Sequence, residues 1–343
     1  MTAIRNTIKY YTGCLVGGAV GDALGAAIEF RSLSEIISQF GPEGISDYAM
    51  AYGKKGAITD DTQMTLFTAE GLILHKVRHQ DQTLPEIVYH AYLRWLSTQK
   101  DINQNQLLTE YGSCAIADGI LTGFKELHAS RAPGNACMSA LASGKMGTTH
   151  NLINNSKGCG GVMRIAPVGL FLEPDMVFDT ACDIAAITHG HPSGYLAAGC
   201  MAEIISQIVS GAKLTDGIES AIRILKTKPD HRECLDGIYS ALTAWKNEPV
   251  SFETVEKLGK GWIAEEALAI GLYCTLAAEN DFEKGIRLAV NHSGDSDSTG
   301  SIAGNILGVL LGKGAIPSKY IKPLELIEVI EEIAEDLFDH RLI

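Results

Sequence analysis

The sequence has no surplus of basic residues: Lys and Arg total 28 against 41 Asp and Glu, a formal net charge of −13 over 343 residues. That balance repels polyanions and excludes a basic nucleic-acid groove or electrostatic capture by an anionic membrane. The eight cysteines, Cys14, Cys114, Cys137, Cys159, Cys182, Cys200, Cys234 and Cys274, contain no C-x-x-C pair. Scattered among apolar and small residues, they read as reduced, mostly buried thiols. No apolar stretch of signal-peptide character follows Arg5 and Lys9, and later apolar segments are broken by Gly, Asn or charge. The expectation is a soluble cytoplasmic protein that engages neither nucleic acid nor membrane. Fixed-period repeats and low-complexity linkers are also missing, and the ten prolines form no hinge, so residues 1–343 are read as one domain.

Hydrophobic residues make up 46% and charged residues 20%, the proportions of a globular chain with a sizeable core. Apolar residues return at three- and four-residue steps in Ile87 to Leu96, Ala197 to Val209, Ile218 to Leu225, Glu265 to Ala278 and Leu324 to Phe338. Few segments alternate in the manner of strands. The fold class is therefore all-α, a single-domain multi-helix bundle. The acidic stretch Glu325 to Asp339 is expected to be the solvated face of a terminal helix, with Ile327, Ile330, Ile333 and Leu337 packed inward.

The chemistry-bearing residues cluster in loops and helix starts. Thr59-Asp60-Asp61-Thr62 precedes the periodic run Met64 to Leu74. Thr and Asp there can cap a helix, and the same carboxylates and hydroxyls are a hard-oxygen set suited to Mg²⁺ or Mn²⁺. Gly294-Asp295-Ser296-Asp297-Ser298-Thr299-Gly300 repeats that chemistry before Ile302 to Leu311. The calcium-loop reading lacks its later Glu, and the aspartyl-phosphatase reading lacks a preceding buried strand. Four carboxylates brought together without cations repel, so pairing the two clusters implies metal.

Gly158-Cys159-Gly160-Gly161 permits close backbone approach to a ligand, or forms a tight interhelical turn; it matches neither a Rossmann nor a Walker pattern. His189 and His191 in Thr188-His189-Gly190-His191-Pro192 lack the further ligands of a zinc site and suit hydrogen bonding or capping. Gly17 to Phe30 reads as a small-residue helix ending in a carboxylate, Glu29, flanked by Ile28 and Phe30.

Together the segments GDALGAAIEF, TDDTQMT, GCGGVMRIAP, THGHPSGY and GDSDSTGSIAG resemble the ADP-ribosylglycohydrolase family in order and spacing, from about Gly13 to Gly312. The resemblance implies an all-α orthogonal bundle with two Mg²⁺ (or Mn²⁺) in a central binuclear cleft. It implies Thr59, Asp60, Asp61, Asp295, Asp297 and Ser298 as metal ligands. Ser156, Gly158, Cys159, Gly160, Gly161, His189 and His191 would contact the diphosphate and ribose; many members have Asn where Cys159 stands. Glu29, Asp61 and Asp295 are the candidates for activating water. The activity implied is release of ADP-ribose from a modified protein side chain, arginine by resemblance to that branch. The other reading is an ADP-ribose-binding or immunity protein that neutralises a cognate ADP-ribosyltransferase.

Overall fold

The computed structural model describes residues 4–99, 109 and 118–342, so Cys114 lies outside the described residues. Its helices are α1 Ile8–Gly25, α2 Leu33–Phe40, α3 Asp60–Arg78, α4 Leu84–Gln99, α5 Asn135–Ala142, α6 Ala166–Phe171, α7 Pro174–Ala186, α8 Pro192–Val209, α9 Leu214–Leu225, α10 Arg232–Asn247, α11 Phe252–Glu256, α12 Ala264–Ala277, α13 Phe282–Val290, α14 Ser296–Leu311, α15 Ser318–Ile321 and α16 Ile327–His340. Beside them, Met50–Ala51 and Lys54–Lys55 form a two-residue antiparallel ladder that no alternation in the sequence signalled. Its turn residues Tyr52 and Gly53 both take positive φ, 50° and 82°, as a tight hairpin requires. The all-α class holds. No helix among the described residues is long and apolar enough to cross a membrane.

Local chemistry sets many helix starts. Ser32 and Glu35 form a reciprocal capping box at α2, and Asp281 accepts from the Lys284 N–H at 3.0 Å to begin α13. Pro167, Pro174 and Pro192 occupy first-turn positions of α6, α7 and α8, where the missing N–H costs no helical bond.

The centre of the fold is a seam between α1 and α14. Gly13, Gly17 and Gly21 face Gly308, Gly304 and Gly300, a four-residue recurrence that puts one glycine stripe on each helix. A methyl group on Gly21 would fall on the Gly300 carbonyl oxygen, and one on Gly304 on that of Gly17. Backbone therefore packs on backbone. At the end of the seam Gly25 lies against Ser296 and Asp297, so the close approach delivers the C-terminus of α1 to the N-terminus of α14.

α16 packs on α1 and α3, burying Ile330, Ile333 and Leu337. Glu325 departs from the solvated face expected of the acidic tail. It is 4% exposed, forms a bidentate pair with Arg131, and accepts from Lys54 Nζ at 3.0 Å and the Ile58 N–H at 3.2 Å. A carboxylate so placed braces residues 54–58, just ahead of Thr59. The described cysteines are free thiols, all buried except half-buried Cys159.

Candidate functional site

α1 stops at Gly25, so Glu29 stands in the turn after the helix rather than on its last turn. There it meets the starts of α3 and α14. Glu29, Asp60, Asp61, Asp295, Asp297 and Ser298 line one cleft of about 210 Å³, with Gly158, Cys159, Gly160, His189 and Trp262. One oxygen from each of Glu29, Asp295 and Asp297 can lie within 4.8 Å of the others.

Each carboxylate has a structural reason for its place. Asp295 is the N-cap of α14; Oδ1 accepts weakly from the Ser298 N–H at 3.4 Å and Oδ2 accepts from Cys159 Sγ at 2.9 Å. Asp297 Oδ1 accepts from the same N–H at 3.0 Å. Asp60 Oδ2 accepts from the Gly134 N–H at 3.2 Å, and Asp61 Oδ1 from Ser298 Oγ at 3.4 Å. Asp61 Oδ2 and Glu29 Oε2 are buried without a partner among the described residues.

The electrostatics follow from crowding. No Lys or Arg lines the cleft among the described residues. Burial first, then the neighbouring Asp297, holds the carboxyls of Asp60 and Asp61 well above their ordinary range. Burial, then Asp297, Asp295 and Asp60, pushes Glu29 up to about 10. Unpartnered oxygens in a hard-oxygen cluster with no basic side chain beside it fit a divalent cation.

A consequence is measurable on the protein in chelator. These carboxyls, like Asp22 at about 7, are raised above the unfolded value of about 4. Their stabilising contribution is complete below pH about 4 and is lost as pH rises through 7 toward 10. Melting temperature in EDTA is expected to fall across that window, and Mg²⁺ to restore most of the loss. A melting temperature independent of both pH and Mg²⁺ would remove the case for a charge-frustrated centre.

Asp22 was not singled out by sequence because its partners lie far along the chain. Its carboxylate, fully buried on α1, accepts from the Thr59 N–H and hydroxyl, at 3.0 and 2.8 Å, and from the Thr62 N–H and hydroxyl. It thereby caps α3 from another helix and fixes the turn that carries Asp60 and Asp61. The one signal was an acid amid small residues. Thr59 Oγ1 points to Asp22 and caps Asp61, and Thr59 is not part of the cleft lining.

Other sequence candidates divide similarly. Gly158 and Gly160 lie against the His189 ring; a Cβ on Gly160 would sit 2.8 Å from His189 Cε1 and 2.9 Å from Cys137 Sγ. Gly161, Ser156 and His191 stand behind the lining. Gly161 packs on Ala185 and Gly194, Ser156 Oγ accepts from the Gly158 N–H at 3.4 Å, and His191 Nδ1 caps α8 by accepting from the Ser193 N–H at 3.2 Å. At the mouth, Trp262 stacks on exposed Phe30 with centroids 5.2 Å apart, a pair that sequence spacing could not reveal.

The acidic cleft lies between helix N-termini of a helical bundle, and the ADP-ribosylglycohydrolase family, a class of hydrolases, matches residues 5–342. The chain belongs to the ADP-ribosylglycohydrolase family. It is 23% identical to ADP-ribosylarginine hydrolase Tri1 of Pseudomonas putida, covering 95% of this chain and 77% of that one. It is 24% identical to the ADP-ribosyl-[dinitrogen reductase] glycohydrolase of Rhodospirillum rubrum, over 92% and 90%. A solved ADP-ribosylglycohydrolase-related protein complex shares the fold, with a TM-score of 0.70 at 24% identity over 98% and 99% of the two chains.

Proposed function

We propose that this protein, acting as one domain, removes ADP-ribose from modified arginine side chains of proteins, with two Mg²⁺ held by Asp60, Asp61, Asp295, Asp297 and Ser298. The observation that carries the reading is the convergence of two helix-start carboxylate pairs and Glu29 on one cleft, with carboxylate oxygens left unpartnered. Arginine as the acceptor rests on the likeness to Tri1.

Bound there, the cations would supply Lewis-acid charge beside the distal ribose. Thr59 and Asp22 hold the ligand turn in register. The Gly158 and Gly160 backbone and His189 border the part of the cleft suited to the diphosphate. Asp295 has both oxygens engaged by Ser298 and Cys159. With cations offsetting the crowding that holds its proton in the metal-free protein, Glu29, outside any helix and with Oε2 unpartnered among the described residues, is the group placed to take a proton from attacking water. The bond from C1″ to the guanidine nitrogen breaks through an oxocarbenium-like transition state as the water oxygen joins C1″, and the departing guanidine takes up a proton from solvent to leave arginine.

The direct test is ADP-ribose release from an arginine-modified and a serine-modified protein, each with Mg²⁺ and with EDTA. Metal-dependent release from the arginine substrate alone is expected; release from neither substrate removes the reading.

A further inference from the structure

Arg164 follows the glycine loop and is fully buried, yet among the described residues it pairs with no carboxylate. A buried guanidinium without a counter-ion is costly, and here its surroundings only soften the charge. One Nη donates to Thr188 Oγ1 at 2.7 Å, the other reaches Cys137 Sγ at 3.2 Å and Met64 Sδ at 3.4 Å, and the group lies 4.3 Å from the Tyr92 ring centroid. Nε has no partner. Cys137, which Arg164 touches, lines the cleft beside Gly160, and among the described residues no Lys or Arg shares that lining.

Thr188 passes the arrangement on. Its hydroxyl oxygen, accepting from Arg164, lies 2.9 Å from His189 Nδ1. The pattern in which every polar proton is used has Thr188 O–H donating to Nδ1, so the imidazole proton resides on Nε2. Nε2 lies at the glycine loop, 3.3 Å from where a Gly158 Cβ would stand and 3.2 Å from that of Gly160. Burial and then the Arg164 charge lower His189 to about 3, so the ring stays neutral at physiological pH.

We propose that Arg164 is a positioning residue: acting through Thr188, it locks His189 as a neutral imidazole whose Nε2–H is a permanent donor to an unprotonated oxygen of an anionic ligand. The cleft is thus split electrically, with carboxylates on one side and, on the other, an N–H donor backed by a buried cation. A diphosphate is directed to the second side even though the protein as a whole is acidic. This assignment rests on the functional reading above for the identity of the ligand, and on the three side chains alone for the relay.

Nitrogen-15 spectra of histidine-labelled free protein read the tautomer, and calorimetry with ADP-ribose and Mg²⁺ reads binding without turnover. The unaltered protein is expected to show His189 neutral, protonated on Nε2, from about pH 5 to 8. Thr188→Val is expected to lose the tautomer preference and bind ADP-ribose about tenfold more weakly, and Thr188→Ser to restore both. Arg164→Met is expected to raise the pH at which His189 takes up a proton; if that variant does not fold, the two Thr188 variants carry the test. A proton on Nδ1 in the unaltered protein, or a Thr188→Val variant with tautomer and affinity unchanged, overturns the proposal. Failure of the unaltered protein to bind ADP-ribose overturns the functional reading instead, while the spectrum of the free protein still decides the relay.

Discussion

Asp60→Ala and Asp297→Ala are each expected to lower ADP-ribose release from arginine-modified protein by roughly 10³-fold at saturating substrate, the loss of about 4 kcal/mol of transition-state stabilisation. The same substitutions should raise, rather than lower, the melting temperature measured in EDTA. Both carboxyls are buried among like charges and held well above their ordinary range, so removing one relieves repulsion in the metal-free protein. Mg²⁺ should then stabilise the variants less than it stabilises the unaltered chain. Activity lost together with metal-free stability would mean that these residues support the fold, and the cation-holding role would fall. Activity retained by either variant would move the reaction elsewhere.

The second large effect is expected far from the chemistry. Gly21→Ala places a methyl on the Gly300 carbonyl of the α1–α14 seam, where the opposing atom is backbone and no side chain can swing aside. Overpacking of this kind costs about 1–3 kcal/mol where neighbours can adjust, and a backbone contact belongs at or beyond the upper end. Urea unfolding should show the midpoint falling with little change in slope. Because the seam sets Glu29 and Asp22 against the start of α14, Mg²⁺ affinity should fall in parallel. Gly53→Ala is the control: its φ is positive but no described residue lies within 4 Å of its Cβ position, so its cost is limited to backbone strain and leaves Mg²⁺ affinity unchanged. Equal losses of Mg²⁺ affinity in the two variants would detach the seam from the site.

The helical class was legible because amphipathic spacing is local. The run Ala197 to Val209 lies within α8, and Glu265 to Ala278 differs from α12 by one residue at each end. Site candidates were legible where acids and hydroxyls coincide at helix starts, since the same groups serve caps and hard cations. What distance in sequence concealed were relationships. Asp22 looked like one polar residue in a small-residue helix, and its partners are 37 and 40 residues away. Glu325 looked like one acid of a solvated series until Arg131 and Lys54 enclosed it. Arg164 gave no sign of its missing counter-ion, because burial of a charge cannot be read from spacing. Of the two histidines, His189 lines the cleft and His191 caps α8, the capping role that its place before Pro192 allowed.

The glycine seam also has a consequence for the order in which the protein comes into being. It joins residues 13–25 to residues 296–312, so the carboxylates of the cleft cannot meet until α14 has been made. At about 5–20 residues per second, α1 waits many seconds beside the ribosome with its bare backbone stripe unpartnered. Assembly of the cleft therefore follows the synthesis of α14, and a chain truncated before α14 lacks Asp295, Asp297 and Ser298 altogether.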